Sequence, residues 1–226
     1  VLTAVSHNLK EETYRNFEIN KPIEVIHNFV DVDRFHKRPI DAFKKMVAPN
    51  GEKIIMHASN FRKVKRIHDV VEVFIKVREK IPAVLLLIGD GPERPDIESF
   101  ARQSDCQQGI RFLGKQDQIE DILPIVDLFL LPSEYESFGL AALEAMAAEV
   151  PVISSDAGGL PEINVNGHSG YLCPVGDVME MSNRAIEILK DKNTHDAFKK
   201  NALSQAMKFG IGNIIPQYEN LYAKVI

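Results

Sequence analysis

From Lys53 to Ser154 the chain alternates apolar runs of strand length with segments whose apolar residues recur at helical spacing. That alternation limits the fold more than any other feature. The runs are residues 54–56, 84–88, 110–113, 128–131 and 152–154. Between the first two, Ile67, Val70, Val71, Phe74, Val77 and Ile81 form a stripe at spacings of three and four, as on one face of a helix. Further helices are expected over residues 97–101, 119–125 and from about Phe138 to Ala148. An unbroken aliphatic run such as 84–88 is what a strand covered on both faces requires. Strand–helix alternation of this kind predicts an α/β fold with a doubly wound, Rossmann-like parallel sheet. Such sheets bind ligands beyond the carboxyl ends of their strands.

The flanks are less regular. Residues 1–5 read as a short buried strand, and Ser6 is suited to cap a polar helix running to about Asn16. Residues 23–27 are a second apolar run and 28–31 a turn. Residues 40–51 read as a connection to a new unit, with a domain boundary near them. The tail, residues 177–189 and 194–226, reads as helices that close the domain. The chain opens without Met or a basic stretch, so its start does not resemble a signal peptide. A strand-like start is expected of a chain that begins inside a larger protein.

Composition narrows the partners. A net charge of −5 argues against a nucleic-acid ligand, and no apolar run approaches the ~20 residues that span a bilayer. Two cysteines, Cys106 and Cys173, provide neither a disulfide framework nor a metal motif. Reduced thiols in a cytoplasmic protein are expected. The seven histidines are scattered along the sequence, and no metal site is expected. Asp31-Val32-Asp33 reads as a turn with a helix cap. Gly89-Asp90-Gly91 follows a strand, but Arg94 stands where a dinucleotide fingerprint needs a third glycine. This segment is expected to be a structural turn.

The chemistry concentrates in Leu131-Pro132-Ser133-Glu134-Tyr135-Glu136-Ser137-Phe138-Gly139-Leu140, which runs on to Glu144. A strand ends there and a helix begins. Ser137 is the expected N-cap, and Gly139 in the first turn lets a ligand approach the backbone. Free N–H groups and the positive end of the helix dipole suit a phosphate. Glu136 would sit at the mouth and Glu144 further along the helix, with a diphosphate between them. One carboxylate is suited to sugar hydroxyls and the other to a ribose diol. The basic run Arg62-Lys63-Lys65-Arg66 follows the first strand of the sheet, where a phosphate contact is expected, above all from Lys65.

Glu136 and Glu144 form the E-x7-E pattern, and their surroundings resemble glycosyltransferase family 4. The matching neighbours are Phe138-Gly139-Leu140, Glu144-Ala145-Met146-Ala147, Pro151-Val152-Ile153, Gly158-Gly159-Leu160-Pro161-Glu162 and Gly170-Tyr171-Leu172. Upstream, Gly89-Asp90-Gly91-Pro92 and Phe112-Leu113-Gly114 fit as well. The resemblance covers residues from about 25 to 172. It implies the C-terminal half of a two-domain GT-B fold. On that view residues 1–44 are a remnant of the acceptor domain with the interdomain link. Residues 45–208 are the nucleotide-sugar-binding domain, and 209–226 a helix packing back toward the first domain.

The resemblance also implies a retaining transferase that needs a UDP-sugar donor and a small-molecule acceptor, without a metal or other cofactor. Assembly into a homo-oligomer is left open. The fragment by itself is expected to be inactive. Residues 57–66 are similar to the family's bacillithiol-pathway branch, which moves N-acetylglucosamine from UDP-N-acetylglucosamine to L-malate. Ser59-Asn60 stand where most of the family has Gly-Arg. Lys65 would hold the diphosphate, with Arg62 a candidate for the charge that Asn60 lacks. The resemblance implies that Glu144 holds the ribose and that the backbone of Phe138, Gly139 and Leu140, next to Ser137, takes the diphosphate. It likewise implies that Glu136 binds the transferred sugar and that the backbone near Leu113 and Lys115 meets the base. Catalysis would rest on Glu136 and Lys65, with front-face attack by the acceptor. A nucleotide-sugar-binding module without catalysis, and an epimerase or phosphorylase on a similar fold, are the competing readings.

Overall fold

The structure is a computed structural model that describes residues 1–36 and 40–224. Two short strands, β1 (Leu2–Ala4) and β2 (Ile23–Val25), pair in parallel around α1 (His7–Asn16). Ser6 caps α1, its hydroxyl accepting the Leu9 N–H. Then come α2 (Val32–Phe35) and α3 (Asp41–Val47). Asp31 caps α2 by accepting from the Arg34 N–H.

The main unit follows as β3 (Lys53–Ala58), α4 (Ile67–Arg78), β4 (Ala83–Ile88), α5 (Arg94–Gln103), β5 (Ile110–Gly114), α6 (Ile119–Ile122), β6 (Leu128–Leu131) and α7 (Leu140–Ala147). It continues through β7 (Val152–Ser155), α8 (Leu160–Ile163), β8 (Gly170–Cys173), α9 (Val178–Lys190), α10 (Lys192–Met207) and α11 (Ile211–Ala223).

The sheet has six strands in the order β5-β4-β3-β6-β7-β8, every pairing parallel. Successive side chains on a strand point to opposite faces, and the core divides accordingly. Ile54, Met56, Val84 and Leu86 join Leu143, Met146 and Ala202 on one face. Ile55, Leu85 and Leu87 join Val70, Phe74, Met181 and Ile188 on the other. Helices α7 and α10 therefore cover one side and α4 and α9 the other, which is the doubly wound arrangement expected.

Some expectations need correction. Residues 40–51 are not a bare connection, because α3 forms there and buries Val47 in the main core. The opening strand is buried only at its end: Val1 is 76% and Leu2 38% exposed, whereas Ala4 is buried. The run 170–173, too short and mixed to stand out, is the sheet's last strand, and α8 also escaped the periodicity. Val225 and Ile226, the end of the expected tail helix, lie outside the described residues. So do residues 37–39, within the segment expected to link the domains.

Strand order reverses between β3 and β6, and a crevice opens there beyond their carboxyl ends. Glycines shape its wall. A side chain on Gly89, at φ +125°, or on Gly91 would run into the backbone of Ser59 or Phe61. The β4–α5 turn instead binds that loop directly, Phe61 N–H donating to the Asp90 carbonyl at 3.0 Å.

Candidate active site in the crevice between β3 and β6

The loop after β3 carries Ser59, Asn60, Arg62 and Lys65, ending in a turn of 3-10 helix at Lys63–Lys65. The loop after β6 carries Ser133, Glu136 and Ser137 into α7. Glu134 N–H donates to the Val64 carbonyl at 2.8 Å, which ties the two loops together. Lys65 and Glu136 meet as an ion pair, and Ser133 donates its hydroxyl to the same Glu136 oxygen at 3.2 Å. The two residues expected to be catalytic are thus in contact. Glu136 is the counter-ion of Lys65.

Ser137 is not the helix cap. The N-cap is Gly139, in the left-handed region at φ +100°, and no side chain caps α7. The helix begins at Leu140 because glycine alone turns the chain this way at low cost. The Ser137 carbonyl is engaged by the Ser6 hydroxyl at 2.6 Å, and that of Glu136 by Gly159 N–H at 2.8 Å. Among the described residues, the N–H groups of Ser137, Phe138, Gly139 and Leu140 find no protein acceptor. A row of open amides at a helix start is suited to an anion. Phe138 is buried and Leu140 is 43% exposed.

Glu144 lies one turn into α7, half-buried. Burial raises its pKa above the usual carboxylate range, while nearby Arg34 opposes the rise and Glu120 adds to it. Arg34 itself pairs with Glu120, both contacts at 3.1 Å. Nothing in the spacing of Arg34 or Glu120 pointed here. Arg34 comes near because α2 packs on α7, and Glu120 because α6 packs beside α2.

Ser59 is positioned by His57, a fully buried ring. The ring donates from Nδ1 to the Leu130 carbonyl at 2.8 Å and takes the Ser59 hydroxyl on Nε2 at 2.7 Å. Burial first, and the Lys65 charge as a lesser cause, lower its pKa to about 4, so the ring is neutral at pH 7. Asn60 is exposed. Arg62 is also exposed and lines a cavity with Lys63, Arg66, Asp69, Glu93 and Glu134, whose walls include neither Lys65 nor Glu136. Leu113 and Lys115 sit at the end of β5, two strands from β3, and are not brought against the ion pair. The Leu113 carbonyl accepts from the Gln116 amide at 2.6 Å.

The histidines are not all dispersed in space. His7, His27 and Glu162 place their ligand-type atoms within 4.8 Å of one another. Glu162 there accepts the N–H groups of His7 and Asn8, both at 2.9 Å, and bonds His27 Nε2 at 3.1 Å.

Residues 40–205 match the family described as Glycosyl transferases group 1. The chain is 43% identical over 228 residues to the N-acetyl-alpha-D-glucosaminyl L-malate synthase of Bacillus anthracis, covering 100% of this chain and 60% of that protein. Identity to the glycogen synthase of Mycobacterium tuberculosis is 32% over 172 residues, 75% of this chain and 40% of the synthase. The Anabaena HepE structure, solved with UDP and glucose, superposes with a TM-score of 0.92 at 21% identity, over 99% of this chain and 62% of that one. The chain thus spans less than two thirds of the length of each. Its parallel six-stranded sheet carries the Rossmann-like GT-B fold, and the chain belongs to the glycosyl transferases group 1 family.

Proposed function

We infer that this chain is the donor-binding half of a retaining glycosyltransferase. In the full-length protein it would transfer N-acetylglucosamine from UDP-N-acetylglucosamine to L-malate. The observation that carries the donor site is the convergence of Lys65, Glu136 and the open amides of residues 137–140 at the strand-order reversal. The choice of sugar and acceptor is supported by the 43% identity to the malate synthase across the whole chain. Residues 45–208 form the donor domain in this reading and residues 1–44 the end of the acceptor domain with its link. The described part of the C-terminal segment, residues 209–224, packs back on the latter, as the contact of Ile214 and Leu221 with Ile26 supports.

The diphosphate lies on the amides and on Lys65, which it draws away from Glu136. Glu144 takes the ribose diol, and the base lies toward Leu113 and Lys115. Glu136, released from Lys65, turns to the hydroxyls of the transferred sugar. The bond from the anomeric carbon to the diphosphate oxygen breaks as the acceptor hydroxyl attacks the same face and passes its proton to that departing oxygen. Negative charge gathers on the departing UDP, where Lys65 and the fixed amides are already in place. Donors preorganised for developing charge are commonly the largest catalytic contribution. Lys65 and the amides supply the positive charge, so no metal is needed for departure. The acceptor and donor are small molecules of the cytoplasm in this reading, and among the described residues no helix is long and apolar enough to cross a membrane.

The full-length protein incubated with UDP-N-acetylglucosamine should release UDP and form an α-linked product only when L-malate is supplied. UDP-sugar turnover indifferent to malate, or an inverted anomeric centre, would overturn this assignment.

A further inference from the structure

Each peptide of the 136–140 turn is trans, so its C=O and the next residue's N–H point in opposite directions. Whatever holds the Glu136 and Ser137 carbonyls therefore aims the Ser137 and Phe138 N–H groups. The Glu136 carbonyl is held by Gly159 N–H at 2.8 Å. The Ser137 carbonyl is held from another part of the chain, by the Ser6 hydroxyl at 2.6 Å, across 131 residues. Ser6 is fully buried and also accepts the Leu9 N–H at 3.0 Å, so its hydroxyl is fixed by the first turn of α1.

That turn is fixed in its own place by Glu162, which takes the His7 and Asn8 N–H groups. Burial works to raise the Glu162 pKa, but the amide bonds from Asn8 and His7, with His27, outweigh it and hold the pKa below its usual value. An ionised carboxylate at a helix N-terminus is favoured by the helix dipole. Glu162 belongs to the segment Gly158-Gly159-Leu160-Pro161-Glu162. Its two glycines press on the same turn. A Cβ on Gly158 would collide with the Glu136 carbonyl, and one on Gly159 would crowd Ser137. A further tie runs from the Tyr135 hydroxyl to Glu12 of α1 at 2.5 Å.

We propose that Ser6 and Glu162 are positioning residues: they lock the start of α1 to the 136–140 turn and so hold its amides toward the donor diphosphate. Neither residue touches donor in this arrangement, and the inference rests on the donor site proposed above. It makes the segment before the donor domain part of the phosphate grip, so the two parts of the chain are joined at the residues that bind the leaving group.

The test uses the full-length protein, with UDP and uridine as ligands in calorimetric or competition titrations of Ser6→Ala and Glu162→Gln. Loss of one fixed hydrogen bond corresponds to roughly tenfold in affinity. Both variants should weaken UDP by about tenfold while leaving uridine affinity unchanged, because only the phosphate-facing amides lose their aim. A merely structural role would lower UDP and uridine together, and that result overturns the proposal, as does unchanged UDP affinity in both variants. Failure of the unsubstituted protein to bind UDP at all would instead overturn the donor site on which the inference rests.

Discussion

The loop that bears Glu136 and the helix that bears Glu144 present the same side chain in opposite settings. Glu136 stands on an irregular segment, satisfied by Lys65 and Ser133. Glu144 stands on α7, where burial works against its charge and Arg34 only partly offsets this. A carboxylate that already has a cation must give it up before a ligand can use either group. A carboxylate strained by burial gains when hydroxyl donors arrive. On this comparison Glu136 is suited to interactions that strengthen during reaction, and Glu144 to holding the nucleotide.

The sharpest way to break the contrast is Glu136→Gln in the full-length enzyme. As positive charge builds on the sugar ring, only the added interaction with Glu136 accelerates the step. We expect kcat and kcat/KM to fall together by about two orders of magnitude. UDP affinity should change by less than about threefold, and toward tighter binding, because Lys65 loses its internal competitor. Near-normal kcat with collapsed UDP binding would reverse the two assignments.

Glu144→Ala should do the converse. A charged hydrogen bond contributes ~1.5–3 kcal/mol, so UDP should bind about tenfold more weakly or worse in calorimetry. Unchanged affinity would remove Glu144 from the ribose.

A smaller effect lies in stability without ligand. The folded protein raises the Glu144 pKa, so it holds a proton more firmly than the unfolded chain does. The penalty of ionisation is absent below the unfolded carboxylate pKa and grows as pH rises above it. Glu144→Gln should therefore match the parent Tm near pH 4 and exceed it at pH 7. Glu136→Gln, which breaks an ion pair, should show no such gain. A pH-independent Tm difference for Glu144→Gln would contradict the burial argument.

The smallest expected change is none at all. If Lys65 and the turn amides carry the diphosphate charge, as proposed, full-length turnover should survive EDTA. Loss of activity restored by Mg²⁺ or Mn²⁺ would transfer the role of Lys65 to a metal, and the His7–His27–Glu162 cluster would then need a separate titration.

Much of the architecture was readable along the chain because its signals are local. The stripe from Ile67 to Ile81 becomes α4, and the aliphatic run 84–88 lies within β4. Periodicity was silent at β8, Gly170-Tyr171-Leu172-Cys173, and α8, Leu160-Pro161-Glu162-Ile163, which lack the unbroken aliphatic or aromatic run that marks the equally short β6. Cap chemistry was legible at Ser6 and misleading at Ser137, because Gly139 can adopt a left-handed turn that moves the helix start two residues on.

The sequence by itself determined the alternating elements, the E-x7-E segment and the basic residues after the first strand of the sheet, since each is a property of neighbours in the chain. Only the tertiary structure decided which groups face one another. Lys65 reaches Glu136 across 71 residues because β3 and β6 lie side by side. Glu162 on α8 reaches His7 at the start of α1 across 155 residues. Such contacts leave no periodic mark: they depend on strand order, and strand order is set by how the buried faces of all the elements fit together at once.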